Sequence, residues 1–295
     1  MIRIAHLSDL HINNVSKITY KELFSKRLCG YCFWKSKKHK LFDYFIFDEI
    51  KKDIGLEKPD HIVITGDLTQ LCTASEFKKA RNYIQTLGAN ENITIIPGNH
   101  DFYTFAGKSL FYKEFCDFFS VNNYIDTKNY LPFVKIIGNC AIIGINSAVV
   151  TPPFFSYGHL KKSQLEHLGL ILKKLQYSYF NILLIHHPPI KGIIYKTKSL
   201  LNSRELIRIL ETGSINLVLH GHIHRFNLSY FNYRETNIPI ISAPAMAFKS
   251  NIGIRSGGYN MYKLYNCDKK WKIDLERKVY NIEKKSFDTE VIKVL

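Results

Sequence analysis

The sequence lacks any long uninterrupted apolar run. The long apolar region at 131–155 is broken by Lys135, Asn139 and paired prolines, whereas a membrane-spanning helix needs about 18 or more apolar residues in succession. The N-terminal residues also lack the positively charged segment and apolar stretch of a secretory signal. The sequence therefore predicts no transmembrane helix, and we expect a cytoplasmic protein that can still contact the inner face of a membrane.

Cysteine is sparse for the length of the chain. Six cysteines are scattered over 295 residues, unlike the dense disulfide framework of a small secreted domain. Cys29 and Cys32 form one Cys-x-x-Cys pair, but no second pair accompanies it. The sequence therefore predicts neither a disulfide scaffold nor a zinc site made of paired cysteines.

Acidic residues are few relative to basic ones. The chain has 41 Lys and Arg residues against 25 Asp and Glu residues, which gives a formal net charge of +16. Such an excess favours an anionic partner, which would be nucleic acid, an anionic membrane surface or a phosphorylated substrate. A lysine-rich genome composition would produce the same excess, so charge alone does not choose between these explanations.

A basic segment at 16–40 stands apart from the rest of the chain. It has one acidic residue and eight basic ones: Lys17, Lys21, Lys26, Arg27, Lys35, Lys37, Lys38 and Lys40. Apolar side chains recur at helical spacing within it: Tyr20, Leu23, Phe24, Leu28 and Tyr31. Such a helix can lie on an anionic bilayer. Alternatively, it is an insertion that packs on the body of the protein and leaves its lysines in solvent.

Short strands alternate with longer helical patterns up to residue 225. Apolar, β-branched runs predict strands at 2–7, 61–66, 92–97, 141–146, 181–186 and 216–221. Helical patterns lie near 41–54, 74–87, 105–119, 160–174 and 203–211. Beyond residue 225, short strands follow one another without helices, as at an antiparallel sheet edge. The alternation predicts an α/β fold, with a single domain at 1–277 and a peripheral C-terminal tail at 278–295.

Side chains that bind metals occur at or just after the ends of five predicted strands. They are Asp9, His11, Asp67, Asn99, His186, His222 and His224. Because the carboxyl ends of strands in α/β sheets face one ligand crevice, we expect these side chains to converge. Carboxylate and amide oxygens with neutral imidazoles suit Mn, Fe or Zn. The two oxygens of Asp67 can bridge two divalent ions about 3.5–4 Å apart, an arrangement suited to phosphoester hydrolysis.

Five ordered blocks of residues resemble the calcineurin-like metallophosphoesterase family. They are Asp9-x-His11, Gly66-Asp67, Gly98-Asn99-His100-Asp101, His186-His187-Pro188-Pro189 and Gly221-His222-x-His224. They span residues 9 to 224, about three quarters of the chain. The resemblance implies a four-layer αββα sandwich, in which two mixed β-sheets are flanked by helices.

The resemblance also implies a role for each site residue. One ion would be held by Asp9, His11, Asp67 and His224. The other would be held by Asp67, Asn99, His186 and His222. A hydroxide that bridges the two ions would attack phosphorus in line, while His100 would protonate or stabilise the leaving oxygen.

Three neighbouring positions are less clearly defined by the resemblance. Asp101 would either orient His100 as part of the catalytic machinery or cap the helix that follows. His187 adjoins the expected ligand His186 and is the alternative to it; otherwise it would line the site. His220, next to the ligand turn, is expected to pack or to hold a neighbour.

The variants Gly-Asp-Leu-Thr and His-His-Pro-Pro resemble the branch that includes cyclic-nucleotide phosphodiesterases. This implies a phosphodiesterase. One alternative is a membrane-associated pyrophosphatase that acts on a lipid-linked diphosphate such as UDP-diacylglucosamine, although the usual bacterial form of that enzyme has Arg where this chain has His100. A second alternative is a non-catalytic metal-binding scaffold protein, but such members commonly lack site residues that are all present here. Nucleic acid is not the expected partner, because no partner-binding extension is apparent.

Overall fold

Two β-sheets form the centre of the molecule. The computed structural model describes residues 1–13, 18–23, 25–36, 41–119, 131–175, 178–250, 253–267 and 270–295. Within these ranges the first sheet contains, in spatial order, β12 (Ser286–Lys293), β11 (Lys270–Asn281), β10 (Gly258–Cys267), β1 (Ile2–Leu7), β2 (His61–Ile64) and β3 (Ile93–Ile95). The second contains β4 (Phe133–Ile137), β5 (Cys140–Gly144), β6 (Phe180–Leu184), β7 (Leu217–His220), β9 (Thr236–Ser242) and β8 (Asn227–Tyr233).

Both sheets are mixed. In the first, β1, β2 and β3 are parallel to one another, and β10, β11 and β12 pair antiparallel. In the second, β5, β6, β7 and β9 are parallel, and β4 and β8 pair antiparallel at the two edges. The parallel strands of each sheet therefore direct their carboxyl ends toward one edge, where the loops can form a common site.

Helices connect the parallel strands. In chain order they are α1 (Tyr20–Leu23), α2 (Arg27–Ser36), α3 (Tyr44–Glu57), α4 (Ala74–Gln85), α5 (Phe105–Phe115), α6 (Lys162–Leu175) and α7 (Ser203–Leu210). The start of α4 is fixed by a capping box, in which Thr73 accepts from the backbone of Glu76 and the Glu76 side chain accepts from the backbone of Thr73. None of the helices in the described ranges has the length and apolar character to cross a membrane.

The second sheet separates two parts of the core. Side chains alternate between the faces of a strand, so Ile142, Ile182 and Leu219 join the core shared with the first sheet. Their neighbours Ile143 and Leu183 join a second core with α6 and α7. Residues of α3, α4 and α5 complete the first core. The result is two mixed sheets with flanking helices, which confirms the predicted fold class.

Two strands were absent from the predicted pattern. β4 precedes β5, and β12 pairs with β11 along the edge of the first sheet. The boundary expected at residue 278 falls within β11, so the polar residues 278–295 are mostly paired strand at the sheet periphery. The strands after residue 225 also do not form one sheet edge: β8 and β9 extend the second sheet, and β10 lies inside the first, next to β1.

The described part of the basic segment at 16–40 forms α1 and α2, and α2 lies against the body. Arg27 is buried and donates to the carbonyl oxygens of Leu71 (2.8 Å) and Cys72 (2.6 Å). The helical prediction is confirmed for the described part of the segment. Other residues used in that prediction lie outside the described ranges: Lys17, Phe24, Lys37, Lys38 and Lys40.

Candidate active site

The turns that carry the site have unusual backbone conformations. Residues with positive φ in these turns are Asp9 (52°), His11 (47°), Asp67 (54°), His222 (71°) and His224 (52°). Non-glycine residues seldom adopt this region, and such residues cluster at functional sites. Glycines allow the turns to meet: a Cβ on Gly98 would overlap the Asp67 carboxylate, and one on Gly221 would overlap the Ser8 hydroxyl.

One group of side chains gathers around Asp9. Its members are Asp9, His11, Asp67 and His224. Nε2 of His224 lies 3.3 Å from Asp9 Oδ1 and 3.0 Å from His11 Nε2. His11 Nε2 lies 3.7 Å from Asp67 Oδ2. The Asp9 carboxylate is held from the protein side by the Ser8 hydroxyl (2.7 Å) and the backbone amide of His222 (3.0 Å).

A second group shares Asp67 with the first. It contains Asp67, His186 and His222. Nε2 of His186 lies 3.4 Å from Asp67 Oδ1 and 3.1 Å from Asn99 Oδ1, so Asn99 lies in the same group. In both groups, with Asn99 left aside, each member has one potential ligand atom within 4.8 Å of those of all the other members. The structure thus brings together all seven predicted metal-binding residues around Asp67.

Backbone carbonyls orient two of these histidines. His186 Nδ1 donates to the carbonyl of Thr65 (2.7 Å), which directs Nε2 toward Asp67. His222 Nε2 donates to the carbonyl of Lys198 (2.9 Å), so Nδ1 is the nitrogen that keeps its lone pair. Such contacts fix the tautomer of metal-binding histidines. These contacts could not be predicted from the sequence, because any residue type can supply a backbone carbonyl.

The electrostatics of the centre favour a cation. Burial alone would raise the pKa of Asp67, but the charges of His186, His100 and His11 hold it well below its usual value. Burial opposes charge on His186 too, yet Asp67 and Asp9 raise the pKa of His186 to about 9. Two buried carboxylates therefore attract positive charge, which a divalent ion supplies when it displaces the imidazole proton. The oxygen and imidazole donors fit Mn, Fe or Zn.

His187 differs from its neighbour His186. Its Nδ1 hydrogen-bonds with the Ser147 hydroxyl (2.8 Å), and Nε2 donates to the carbonyl of Ser156 (3.1 Å). Burial lowers its pKa to about 3, with the charge of His186 as the next cause. Both ring nitrogens of His187 are thus occupied by the loops beside the site, whereas Nε2 of His186 faces Asp67 and Asn99.

His100 lies at the margin of the centre. Its backbone amide donates to Asp67 Oδ1 (2.7 Å), and its Nδ1 donates to the carbonyl of Gln70 (2.7 Å). The ring lies edge-on to His11, with 4.6 Å between centroids, and stacks on Tyr103 at 5.5 Å. Gln70 and Tyr103 were not predicted to contact His100; the aromatic residue three positions after His100 was the signal that could have indicated Tyr103.

Asp101 lies between the loops after β2 and β3. Its buried carboxylate accepts from the backbone amides of Gly98 (2.9 Å), Leu68 (3.1 Å) and Thr69 (3.0 Å). The N-cap of α5 is Thr104, so Asp101 does not cap that helix. Burial and the nearby Asp67 carboxylate raise its pKa to about 7. These contacts join the two loops, and a role of Asp101 in orienting His100 stays a prediction.

Comparisons with known proteins identify the family of this chain. The family model described as calcineurin-like phosphoesterase matches residues 2–226. A probable glycerophosphodiester phosphodiesterase from Arcobacter nitrofigilis is 27% identical over 78% of this chain and 74% of its own length. A cAMP/cGMP dual specificity phosphodiesterase from Mycobacterium tuberculosis is 26% identical over 68% of this chain and 58% of its own length.

A solved structure gives the same result for the fold. A dimetal phosphatase from Danio rerio superimposes with a TM-score of 0.64, covering 99% of this chain and 98% of that one, at 12% identity. At this identity the likeness shows the fold alone, and the match of the family model provides the assignment. The chain belongs to the calcineurin-like phosphoesterase family and is a metal-dependent phosphohydrolase.

Proposed function

We propose that the protein hydrolyses a phosphodiester, with two divalent ions at the centre around Asp67 and with His100 as proton donor to the leaving oxygen. The position of His100 carries this proposal. Its ring contacts that of His11 at 4.6 Å, while its backbone amide is bound to Asp67. His100 thus borders the centre on which a phosphoryl group would lie.

The orientation of His100 supports this role. A carbonyl oxygen can only accept, so the contact with Gln70 places a proton on Nδ1. Nε2 is then the nitrogen whose protonation can change during the reaction. The stacked Tyr103 ring restrains the imidazole plane. A restrained imidazole with one nitrogen already committed is suited to transfer a proton at the other.

The two groups of side chains would hold the ions. Asp9, His11, Asp67 and His224 would bind one, and Asp67, Asn99, His186 and His222 the other. Bound ions would supply an activated water and neutralise negative charge on the phosphoryl oxygens. The protein contributes two buried carboxylates and fixes His186 and His222 through the carbonyls of Thr65 and Lys198.

Two diesters that differ in their leaving group test the role of His100. Bis-p-nitrophenyl phosphate has a leaving group that needs little protonation, whereas cyclic AMP releases an alkoxide. With Mn²⁺, His100→Gln should lower kcat for cyclic AMP by about 10²–10⁴-fold and lower kcat for the nitrophenyl diester much less. His159→Gln, at an exposed position, is the matched control.

Two outcomes would contradict the proposal. Equal losses on both diesters would show that His100 does not donate the proton. If the unmodified protein turned over neither diester in the presence of Mn²⁺, the non-catalytic scaffold would be the better interpretation.

The substrate itself is proposed from two observations. The names of the two relatives support a phosphodiester such as a cyclic nucleotide or a glycerophosphodiester. A second candidate, a lipid-linked diphosphate, is favoured by the position of the insertion: Lys26 lies 4.4 Å from the centroid of Tyr103, which stacks on His100. Turnover of cyclic AMP and of UDP-diacylglucosamine, each with and without anionic liposomes, distinguishes the two candidates.

A further inference from the structure

Helix α2 exposes apolar side chains on the face that points away from the protein. Its inner face is fixed by Arg27 and by Gly30, which lies close to the Tyr103 and Leu71 side chains. On the outer face Leu28 is 51% exposed and Phe33 is 53% exposed. A surface helix normally directs its apolar face toward the core. The outer face of α2 is therefore suited to an apolar partner outside the protein.

Two loops beside the site expose aromatic side chains in the same way. Phe154 is 88% exposed in the loop 151–158, and Tyr195 is 82% exposed in the loop 189–201. The loops are joined by a hydrogen bond from the Ser156 amide to the Thr197 carbonyl (3.1 Å). Large aromatic side chains held in solvent commonly mark an interaction surface.

Both loops are attached to histidines of the site. The carbonyl of Ser156 accepts from His187, and the carbonyl of Lys198 accepts from His222. The insertion joins the same rim, because Lys26 donates to the Thr151 hydroxyl at 2.7 Å. Helix α2 and the two loops therefore form one continuous border around the centre, which we call the rim surface.

The backbone at Phe154 supports a functional reason for its exposure. Its φ is 70°, a conformation that is a clear outlier for a bulky residue. Strain of this kind persists where the surrounding structure imposes it, and it is frequent at ligand-binding positions. Here it holds an aromatic ring in solvent, although burial of that ring would be favourable.

The charge of the rim surface identifies the partner. The loops 151–158 and 189–201 contain Lys191, Lys196 and Lys198 and no acidic residue. All three lysines are exposed. Aromatic side chains between lysines, with no acid near them in sequence, fit the boundary of an anionic bilayer, where rings enter the headgroup region and ammonium groups meet lipid phosphates.

We propose that the rim surface docks on an anionic phospholipid bilayer, with the opening of the site toward the membrane, so that the phosphoester substrate is carried by a lipid. The statement about the substrate rests on the proposed function, whereas the docking itself does not. The rim surface extends beyond the basic segment at 16–40, because it also includes the loops 151–158 and 189–201. A phosphate on a lipid headgroup would reach the centre without leaving the bilayer.

Vesicle flotation of the full-length protein tests the docking. Vesicles of phosphatidylcholine mixed with phosphatidylglycerol should bind the protein, and vesicles of phosphatidylcholine alone should bind it much less. Added salt should weaken binding, because it screens the lysines. The double variant Phe154→Ser/Tyr195→Ser should lose about tenfold in vesicle affinity. Leu56→Ser is the matched control, since Leu56 is 81% exposed at the end of α3 and should bind as the unmodified protein does.

Three results would overturn the proposal. They are absence of binding to anionic vesicles, equal binding by the double variant and the unmodified protein, and an equal loss in Leu56→Ser. A nucleic-acid partner would be indicated instead by two results together. Single-stranded RNA would abolish vesicle binding in proportion to the charge of the RNA, and the aromatic variants would bind as the unmodified protein does. Hydrolysis of bis-p-nitrophenyl phosphate without vesicles, measured on the same preparations, reports on the proposed function separately: it should be retained in all variants.

Discussion

The histidines of the site and the histidines of the strands beneath it have opposite environments. His6 lies in β1 and contacts the hydroxyl groups of Thr65 (2.9 Å) and Tyr262 (3.4 Å). His61 lies in β2 and contacts the Thr94 hydroxyl at 2.7 Å. By contrast, His186 and His224 follow the ends of strands and direct Nε2 at carboxylates. His6 and His61 are thus bonded to hydroxyl groups of neighbouring chain segments, whereas a histidine in a turn after a strand can face a common centre.

The pKa of His186 shifts in the opposite direction to those of the strand histidines. Burial lowers the pKa of His6 and of His61 to about 3, so both are neutral in the folded protein. His186 is also buried, but Asp67 and Asp9 raise its pKa to about 9. Burial lowers the pKa of His222 as it does those of His6 and His61, so burial does not distinguish a structural histidine from a candidate metal ligand.

The largest effect is expected at the shared carboxylate. Asp67→Asn removes the negative charge that both groups of side chains share, so turnover with Mn²⁺ should fall by more than the roughly 100-fold typical of an outer-shell substitution. Elemental analysis after dialysis against Mn²⁺ should show less bound metal. Asp53→Asn, which changes a carboxylate that accepts from the Tyr259 hydroxyl and belongs to neither group, is the control. Full activity in Asp67→Asn would contradict the shared role.

The adjacent histidines His186 and His187 give a matched pair. His186→Gln should lower metal content and turnover by about 10–100-fold. His187→Gln should retain metal and instead lose about 1–3 kcal/mol of unfolding free energy, because it leaves the buried partners Ser147 and Ser156 unsatisfied. Metal content and urea unfolding of both variants check this. Loss of metal in His187→Gln alone would reverse the assignment.

Asp101→Asn tests the carboxylate that joins two loops. Asn keeps one acceptor oxygen, but its NH₂ group replaces the other. In the unmodified protein both carboxylate oxygens accept from backbone amides, so one of these amides would face a donor in the variant. We expect a loss of about 2 kcal/mol in unfolding free energy, measured by urea denaturation without metal. A large loss of kcat with unchanged stability would instead restore the catalytic role first expected for Asp101.

The remaining effect is on the pH dependence of stability and comes from a strand histidine. The pKa of His61 is about 3 in the folded protein, below the value near 6.5 for an unfolded chain. Unfolding therefore takes up a proton, and stability present above pH ~6.5 is lost as the pH falls toward 3.

His61→Gln should reduce the slope of unfolding free energy against pH between these values by up to about 1.4 kcal/mol per pH unit. Urea denaturation at several pH values measures the slope, and His159→Gln should leave it unchanged. Parallel pH curves for His61→Gln and the unmodified protein would show that His61 does not titrate as its environment indicates.

The sequence predicts those parts of the candidate site that depend on residue type. Asp9, Asp67 and His222 were predicted because carboxylates and imidazoles that follow strand ends are expected to face one crevice. The contacts of Asp101 were not predicted, since they are made to backbone amides that any residue provides. The choice between His186 and His187 also needed the structure, because adjacent residues in a turn differ only in direction.

The fold shows the same division. Strands such as β5 and β6 have continuous apolar runs that predict buried strands. β12 is mostly polar and mostly exposed. Its sequence therefore resembles that of a loop until its pairing with β11 is known. The docking of α2 likewise depends on Arg27 meeting the carbonyls of Leu71 and Cys72, a long-range contact without a local signal.

Anomalous diffraction from crystals grown with saturating Mn²⁺ tests the proposed two-ion centre. We expect two manganese peaks about 3.5–4 Å apart, one on each side of the Asp67 carboxylate, with His224 next to one and His186 next to the other. A single peak, or peaks that do not contact Asp67, would contradict it.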